Sequence, residues 1–221
     1  MLSKRLESLI KYIDKNDKLI DIGCDHGLID IYLVKNKIIN SVIISDIHEG
    51  ALKAGKENVT KHHLEKQIDA RLGNGLEVLK QDEVIDTVLI SGMGTSTILK
   101  ILNNNYLKNI NKLILQSNNN HEELRKEVVK LGFIITDEEY FIDNKKNYIN
   151  IVFKRGNQKY KRDELRYGPI LIKNKAYLNF ELENCLKIKN LIKNPKLKQK
   201  ISLNHEINKI KKYIKRVNIW K

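Results

Sequence analysis

The seven residues from Asp21 to Gly27, D-I-G-C-D-H-G, place two glycines four positions apart, with acids on both sides of the first. Glycines at these positions let backbone N–H groups approach a ligand closely and let a helix begin directly after a strand. The acids then select the ligand. A dinucleotide loop would read G-x-G-x-x-G and would keep negative side chains away from the diphosphate, whereas Asp21 and Asp25 suit a ligand carrying an ammonium and a sulfonium. That is the charge pattern of S-adenosylmethionine, and Asp21, Gly23, Asp25 and Gly27 are expected to hold it. A glycine-containing turn between strand and helix is also ordinary in α/β proteins, so the loop gains weight only alongside companion motifs later in the chain.

Four further clusters occur at spacings that suit the same crevice. Asp46, with Ile47 beside it, closes a second β-branched run. An acid at such a strand end can accept both ribose hydroxyls, or it can cap the helix opening at His48-Glu49. Gly73-Asn74-Gly75 offers a flexible turn with one amide, so Asn74 and Gly75 are expected at an adenine edge; a plain turn is the alternative. In Ser91-Gly92-Met93-Gly94, Ser91 and Gly92 belong to the expected cofactor site, and Met93 and Gly94 to the place of a flat target ring. The alternative is a glycine-rich connection opening a helix at Thr95. Gln116 and Asn118 are expected on the substrate, at an amide-rich strand end. Cys24 reads as a small buried hydrophobe, without chemistry.

These clusters need elements to position them. Apolar runs at Lys18 to Ile22, Ser41 to Ser45, Ile68 to Leu72, Thr87 to Ser91 and Lys112 to Gln116 predict strands. Helices are expected between them at Gly27 to Lys35, Glu49 to His63, Gly75 to Lys80, Thr95 to Asn103 and His121 to Leu131. Such alternation implies a parallel sheet. Phe133 to Phe141 and Tyr148 to Phe153 are separated only by Ile142 to Asn147, too short for a crossover helix, and predict a terminal antiparallel hairpin. The expected fold class is therefore α/β: a Rossmann-like methyltransferase sheet of five parallel strands and a terminal hairpin, followed by a C-terminal helical hairpin. Leu2, Leu6, Leu9 and Ile13 share one face of an N-terminal helix that caps the domain or contributes to a substrate surface.

The chain of 221 residues carries 41 Lys+Arg against 27 Asp+Glu, a net +14. Residues 1–154 hold 22 of each sign, so the whole excess lies in residues 155–221, with 19 basic and 5 acidic side chains. Localised charge of this size favours a polyanionic partner. Two domains are expected, 1–155 for the cofactor and 156–221 as a basic, coiled-coil-like helical hairpin that meets this partner. Leu178, Leu182, Cys185, Ile188 and Ile192 give one apolar stripe, Asn194-Pro195 breaks it, and Leu203, Ile207, Ile210, Ile214 and Val217 give the second. Lysines such as Lys187, Lys189, Lys209, Lys211, Lys212 and Lys215 are expected in solvent, and Gln158 to Gly168 as a linker. Two distant cysteines predict neither disulfide nor metal site. With no signal segment or membrane span in evidence, a cytoplasmic, monomeric protein is expected.

The motifs together resemble the bacterial tRNA adenine-22 N1-methyltransferases, the TrmK family. The resemblance rests on L-S-K-R-L (Leu2 to Leu6), the Asp21 to Gly27 loop, G-N-G-L-E-V (Gly73 to Val78), S-G-M-G (Ser91 to Gly94), L-I-L-Q-S-N (Leu113 to Asn118) and Y-G-P-I-L (Tyr167 to Leu171). It implies methylation of N1 of an adenine in the tRNA D-arm, using S-adenosylmethionine and no metal. The family more often has Asp at Asn74, Pro at Ser117 and an aromatic at Leu28. Asp25 is the expected catalytic carboxylate, stabilising charge on the adenine or accepting an N6 proton, or else it holds the cofactor's amino group. His26 is expected to assist, or to be a helix-start histidine satisfied by backbone. A methyltransferase of another RNA, a protein or a small molecule would share the cofactor features, and a non-catalytic RNA-binding protein would share the charge.

Overall fold

A computed structural model describes residues 2–192 and 197–219. The chain forms two compact units, Met1–Lys159 and Tyr160–Lys221. In the first, seven strands make one sheet: β1 (Leu19–Ile22), β2 (Val42–Asp46), β3 (Ile68–Leu72), β4 (Thr87–Met93), β5 (Lys112–Ser117), β6 (Phe133–Asp143) and β7 (Lys146–Arg155). Their order is β3-β2-β1-β4-β5-β7-β6. The first five pair in parallel, and β7 runs antiparallel to both β5 and β6. The expected methyltransferase sheet is therefore present.

Residue chemistry explains the layers. β1, β2 and β5 are buried along their whole lengths, as central parallel strands covered on both faces must be, and their runs of Ile, Leu and Val satisfy that demand. Helices α2 (Leu28–Lys35), α3 (Glu49–Lys61), α4 (Thr95–Leu102) and α5 (His121–Lys130) supply the crossovers, and α1 (Lys4–Ile10) precedes the sheet. Leu9 of α1 packs with Leu19, Ile29, Leu33, Ile44 and Ile114 in the core. The amino end of α1 is tied to the far hairpin, where the Asp143 carboxylate accepts the Arg5 backbone N–H at 3.1 Å.

Three local expectations change. The β6–β7 connection is a two-residue turn, with Asn144 and Lys145 both left-handed, φ 48° and 64°. That geometry matches the twist of paired strands, so the strands run further than their apolar stretches suggest. Gly75–Val78 is a single 3-10 turn instead of a helix reaching Lys80. Finally, β4 continues past Ser91 to Met93 through a shift of register.

The second unit contains α6 (Arg162–Tyr167), α7 (Lys175–Leu191) and α8 (Leu197–Ile219). Helices α7 and α8 are antiparallel neighbours: Arg166 pairs with Glu181 and Glu206, while Lys189 and Ile192 line one hollow with Gln199 and Leu203. Leu178, Cys185, Ile207 and Ile210 are buried, but Ile188 is 49% exposed, so the first stripe ends earlier than its spacing suggests. Asn194-Pro195 lies outside the described residues. The expected linker Gln158 to Gly168 instead contains α6. Its start is capped by Glu164, whose carboxylate accepts the Lys161 N–H at 2.7 Å, and its buried Tyr167 donates its hydroxyl to Glu206 at 2.7 Å. Lys209, expected in solvent, is half-buried and paired with Asp163 at 2.9 Å. Short polar helices escape periodicity because a single turn carries too few apolar positions to show one.

Candidate active site

In an open parallel sheet the ligand crevice forms beyond the carboxyl ends of the strands, where the chain reverses its winding direction. Here that reversal falls between β1 and β4. A cavity of about 660 Å³ opens at that place. Asp21, Gly23, Asp25 and His26 reach it from the end of β1, Asp46 and Ile47 from β2, Asn74 and Gly75 from β3, and Ser91, Gly92 and Met93 from β4.

Gly23 has φ +78°, and a Cβ there would sit 2.2 Å from Met93 Cε. The first glycine of the loop is thus required by its backbone conformation, and the end of the Met93 side chain lies over it. Gly27, with φ +63°, starts α2 from a left-handed position and does not itself line the cavity. At Gly75, φ +60°, a Cβ would meet Ile101 Cγ2 at 2.9 Å, which fixes the width of the crevice on the α4 side.

The acids differ in setting. Asp21 is buried, and burial pushes its carboxyl up, opposed by the nearby Arg5 guanidinium. Asp46 is nearly buried, and its Oδ1 accepts the His48 backbone N–H at 2.8 Å. The alternative reading of Asp46 as the cap of the next helix does not hold: α3 has His48 at its N-cap with no side-chain cap bond, and Asp46 binds the N–H of that residue through one oxygen. Asp25 stands at the rim, its side chain 73% exposed, with His26 Nε2 3.6 Å away. Cys24 is buried, and its thiol is pushed far up by burial and by Asp21, Asp30 and Asp46, so it supplies no nucleophile at neutral pH. Leu28 and Ile47 are 45% and 59% exposed at the mouth, apolar surfaces next to charged ones.

Several expected residues sit elsewhere. Gln116 is fully buried behind the cavity, donating to Asn150 Oδ1 at 2.6 Å, and faces no substrate space. Asn118 binds the Gly92 carbonyl at 2.6 Å, and Gly94 packs near the Asn119 amide; neither lines the cavity. These residues hold the end of β4 in shape. Asn74 reaches the cavity but also donates to Glu77 at 3.2 Å.

Arg5, not among the site residues expected from sequence, is central. From α1 it enters the cavity, with Nη1 3.4 Å from Ser91 Oγ and 3.4 Å from Gln116 Oε1. Its only sequence signal is its place within L-S-K-R-L, because nothing local marks an arginine on a short helix as facing inward. Gln116 links it onward through Asn150 to Ser8 Oγ, 2.9 Å away, so β5, β7 and α1 hold the guanidinium jointly.

Sheet order, glycine-lined cavity and acidic strand ends together define a methyltransferase domain of Rossmann-like fold, and the methyltransferase-domain family matches residues 2–151. More narrowly, the chain belongs to the tRNA (adenine(22)-N(1))-methyltransferase family. It is 32% identical over 182 residues to the Bacillus subtilis (strain 168) tRNA (adenine(22)-N(1))-methyltransferase, covering 79% of this chain and 76% of that relative. The structure of M. capricolum TrmK in complex with S-adenosyl-homocysteine superposes with a TM-score of 0.84 at 32% identity, covering 98% of this chain and 99% of the other. Streptococcus pneumoniae Sp1610 in complex with S-adenosyl-L-methionine gives a TM-score of 0.89 at 30% identity, covering 97% and 100%.

Proposed function

We propose that the protein transfers the methyl group of S-adenosylmethionine to N1 of adenine 22 in tRNA. The observation that carries this reading is the cavity itself: one buried acid, Asp21, and one inward cation, Arg5, share a crevice whose close approach depends on Gly23 and Gly75. A zwitterionic amino-acid end fits that pair. Arg5 takes its carboxylate and Asp21 its ammonium. Asp46 takes the ribose through the oxygen not used by His48, while Ile47 and the Asn74-Gly75 turn flank the adenine.

When bound, the cofactor supplies an electrophilic methyl on a sulfonium. Adenine N1 is a neutral nucleophile with an exposed lone pair, so the protein's task is alignment more than deprotonation. Gly92 and Met93 lie where a flat base would enter, and Asp25 at the rim stabilises the positive charge arising on the ring or accepts the N6 proton, with His26 beside it. Because N1 lies on the pairing edge, the adenine must leave the RNA stack first. The second unit holds 17 basic against 5 acidic residues across positions 160–221 and serves as the tRNA-binding part.

The test is incubation of adenine-22-containing tRNA with labelled S-adenosylmethionine, followed by nucleoside analysis. Label in 1-methyladenosine, lost when adenine 22 is replaced by guanine, supports the reading. Label absent from RNA overturns it.

A further inference from the structure

Beneath the cofactor cavity lies a second carboxyl with no part in the proposed cofactor contacts. Asp30, in the first turn of α2, is fully buried. No donor among the described residues reaches either of its oxygens at hydrogen-bond geometry. The group it faces is another carboxyl, Asp21, and two carboxyls can bond to each other only when one carries a proton. Around the pair stand Arg5 from α1, Cys24 from the β1 loop and Asp46 from the end of β2. Arg5 favours charge on Asp21, the member that lines the cavity. For Asp30, burial and the neighbouring Asp21 carboxyl both push its carboxyl up.

An ionised Asp30 would be a buried charge without a donor, which folded proteins avoid by protonating the group. We propose that Asp30 is a carboxylic acid held protonated, and that its O–H donates to Asp21 and so orients and charges Asp21 for the cofactor's ammonium. Asp30 is thus a positioning residue. The inference rests on the reading of Asp21 as the ammonium partner. It also accounts for an acid buried in a helix whose other buried residues, Ile29, Ile31, Leu33 and Val34, are all apolar.

The experiment uses the full chain and calorimetric titration with S-adenosylhomocysteine, with adenosine as a probe lacking the ammonium. Asp30→Asn keeps a donor of the same shape and no charge. It is expected to bind S-adenosylhomocysteine within about threefold of the unaltered protein, while Asp30→Leu, which removes the donor, weakens binding about tenfold or more. Adenosine affinity is expected to stay constant across all variants, a control for folding. Between about pH 5.5 and 7.5 the affinity of Asp30→Leu should fall more steeply with acidification than that of Asp30→Asn, because an unsupported Asp21 takes up its proton sooner. Equal loss in Asp30→Asn and Asp30→Leu would show that Asp30 acts through charge or packing, and would overturn the inference. Asp21→Asn separates the two levels: if it leaves S-adenosylhomocysteine affinity unchanged, the reading of Asp21 fails and the inference with it.

Discussion

Met93 Cε occupies the space a Cβ on residue 23 would need, so the β1 loop and the end of β4 meet across the left-handed backbone of Gly23. The two residues are seventy positions apart. Their contact sets one wall of the cavity.

Gly23→Ala meets one fixed penalty, a left-handed φ of +78°, because Met93 Cε ends a flexible side chain that can swing aside. Strain of this kind costs about 1–3 kcal/mol, so cofactor affinity should fall about tenfold or more. Pairing it with Met93→Ala removes the contact but keeps the backbone strain, and calorimetry of the double variant should recover only part of the loss.

Arg5→Met should weaken cofactor binding by about 1.5–3 kcal/mol, the range for hydrogen bonds to charged groups, and leave adenosine binding unaltered. Gln116→Leu removes one of the guanidinium's supports and strands the buried Asn150. It should lower thermal stability as well as cofactor affinity. A Gln116→Leu protein with unchanged affinity would place Arg5 under other control.

At saturating cofactor, Asp25→Ala should reduce turnover about a hundredfold if its carboxylate meets the developing charge on the adenine. A rate near that of the unaltered protein would remove Asp25 from the chemistry.

Replacing the exposed Lys211, Lys212 and Lys215 together by Gln should weaken tRNA binding and flatten its salt dependence by up to about 2–3 in the log–log slope, at roughly 0.7–0.9 per lost phosphate contact. Cofactor affinity should not move. Filter binding over a series of salt concentrations reads the slope directly.

Glu83 is an assignable contributor to acid stability. Arg71 forks onto Glu83 with both contacts at 2.5 Å, and this pairing holds the Glu83 carboxyl down at about 2. A carboxyl lowered in the folded state stabilises above its unfolded pKa of about 4.3, and the contribution is lost as pH falls toward the folded value. Urea unfolding should therefore show Glu83→Gln less stable than the unaltered protein at about pH 7, with the gap closing between about pH 4.3 and 2.

What the sequence determined by itself was local. Periodicity and β-branched runs marked the five parallel strands and the last pair, because a parallel strand buried on both faces is mostly apolar and a short connection cannot hold a crossover helix. The acidic glycine loop was legible for the same reason: Gly23 is demanded by backbone geometry at its own position. The tertiary structure alone decided which side chains converge. Arg5 meets Ser91 and Gln116 across 86 and 111 residues, and only the order β2-β1-β4-β5 with α1 folded against it brings them together. Gln116 and Asn118 carried the right groups for a substrate edge, yet the pleat and the shifted register of β4 turned one inward and the other onto the Gly92 carbonyl. Asp30 reads in sequence as an ordinary first-turn acid, favourable at a helix start. Its burial beside Asp21 comes from the tertiary packing of α2, a relation that spacing along the chain does not encode.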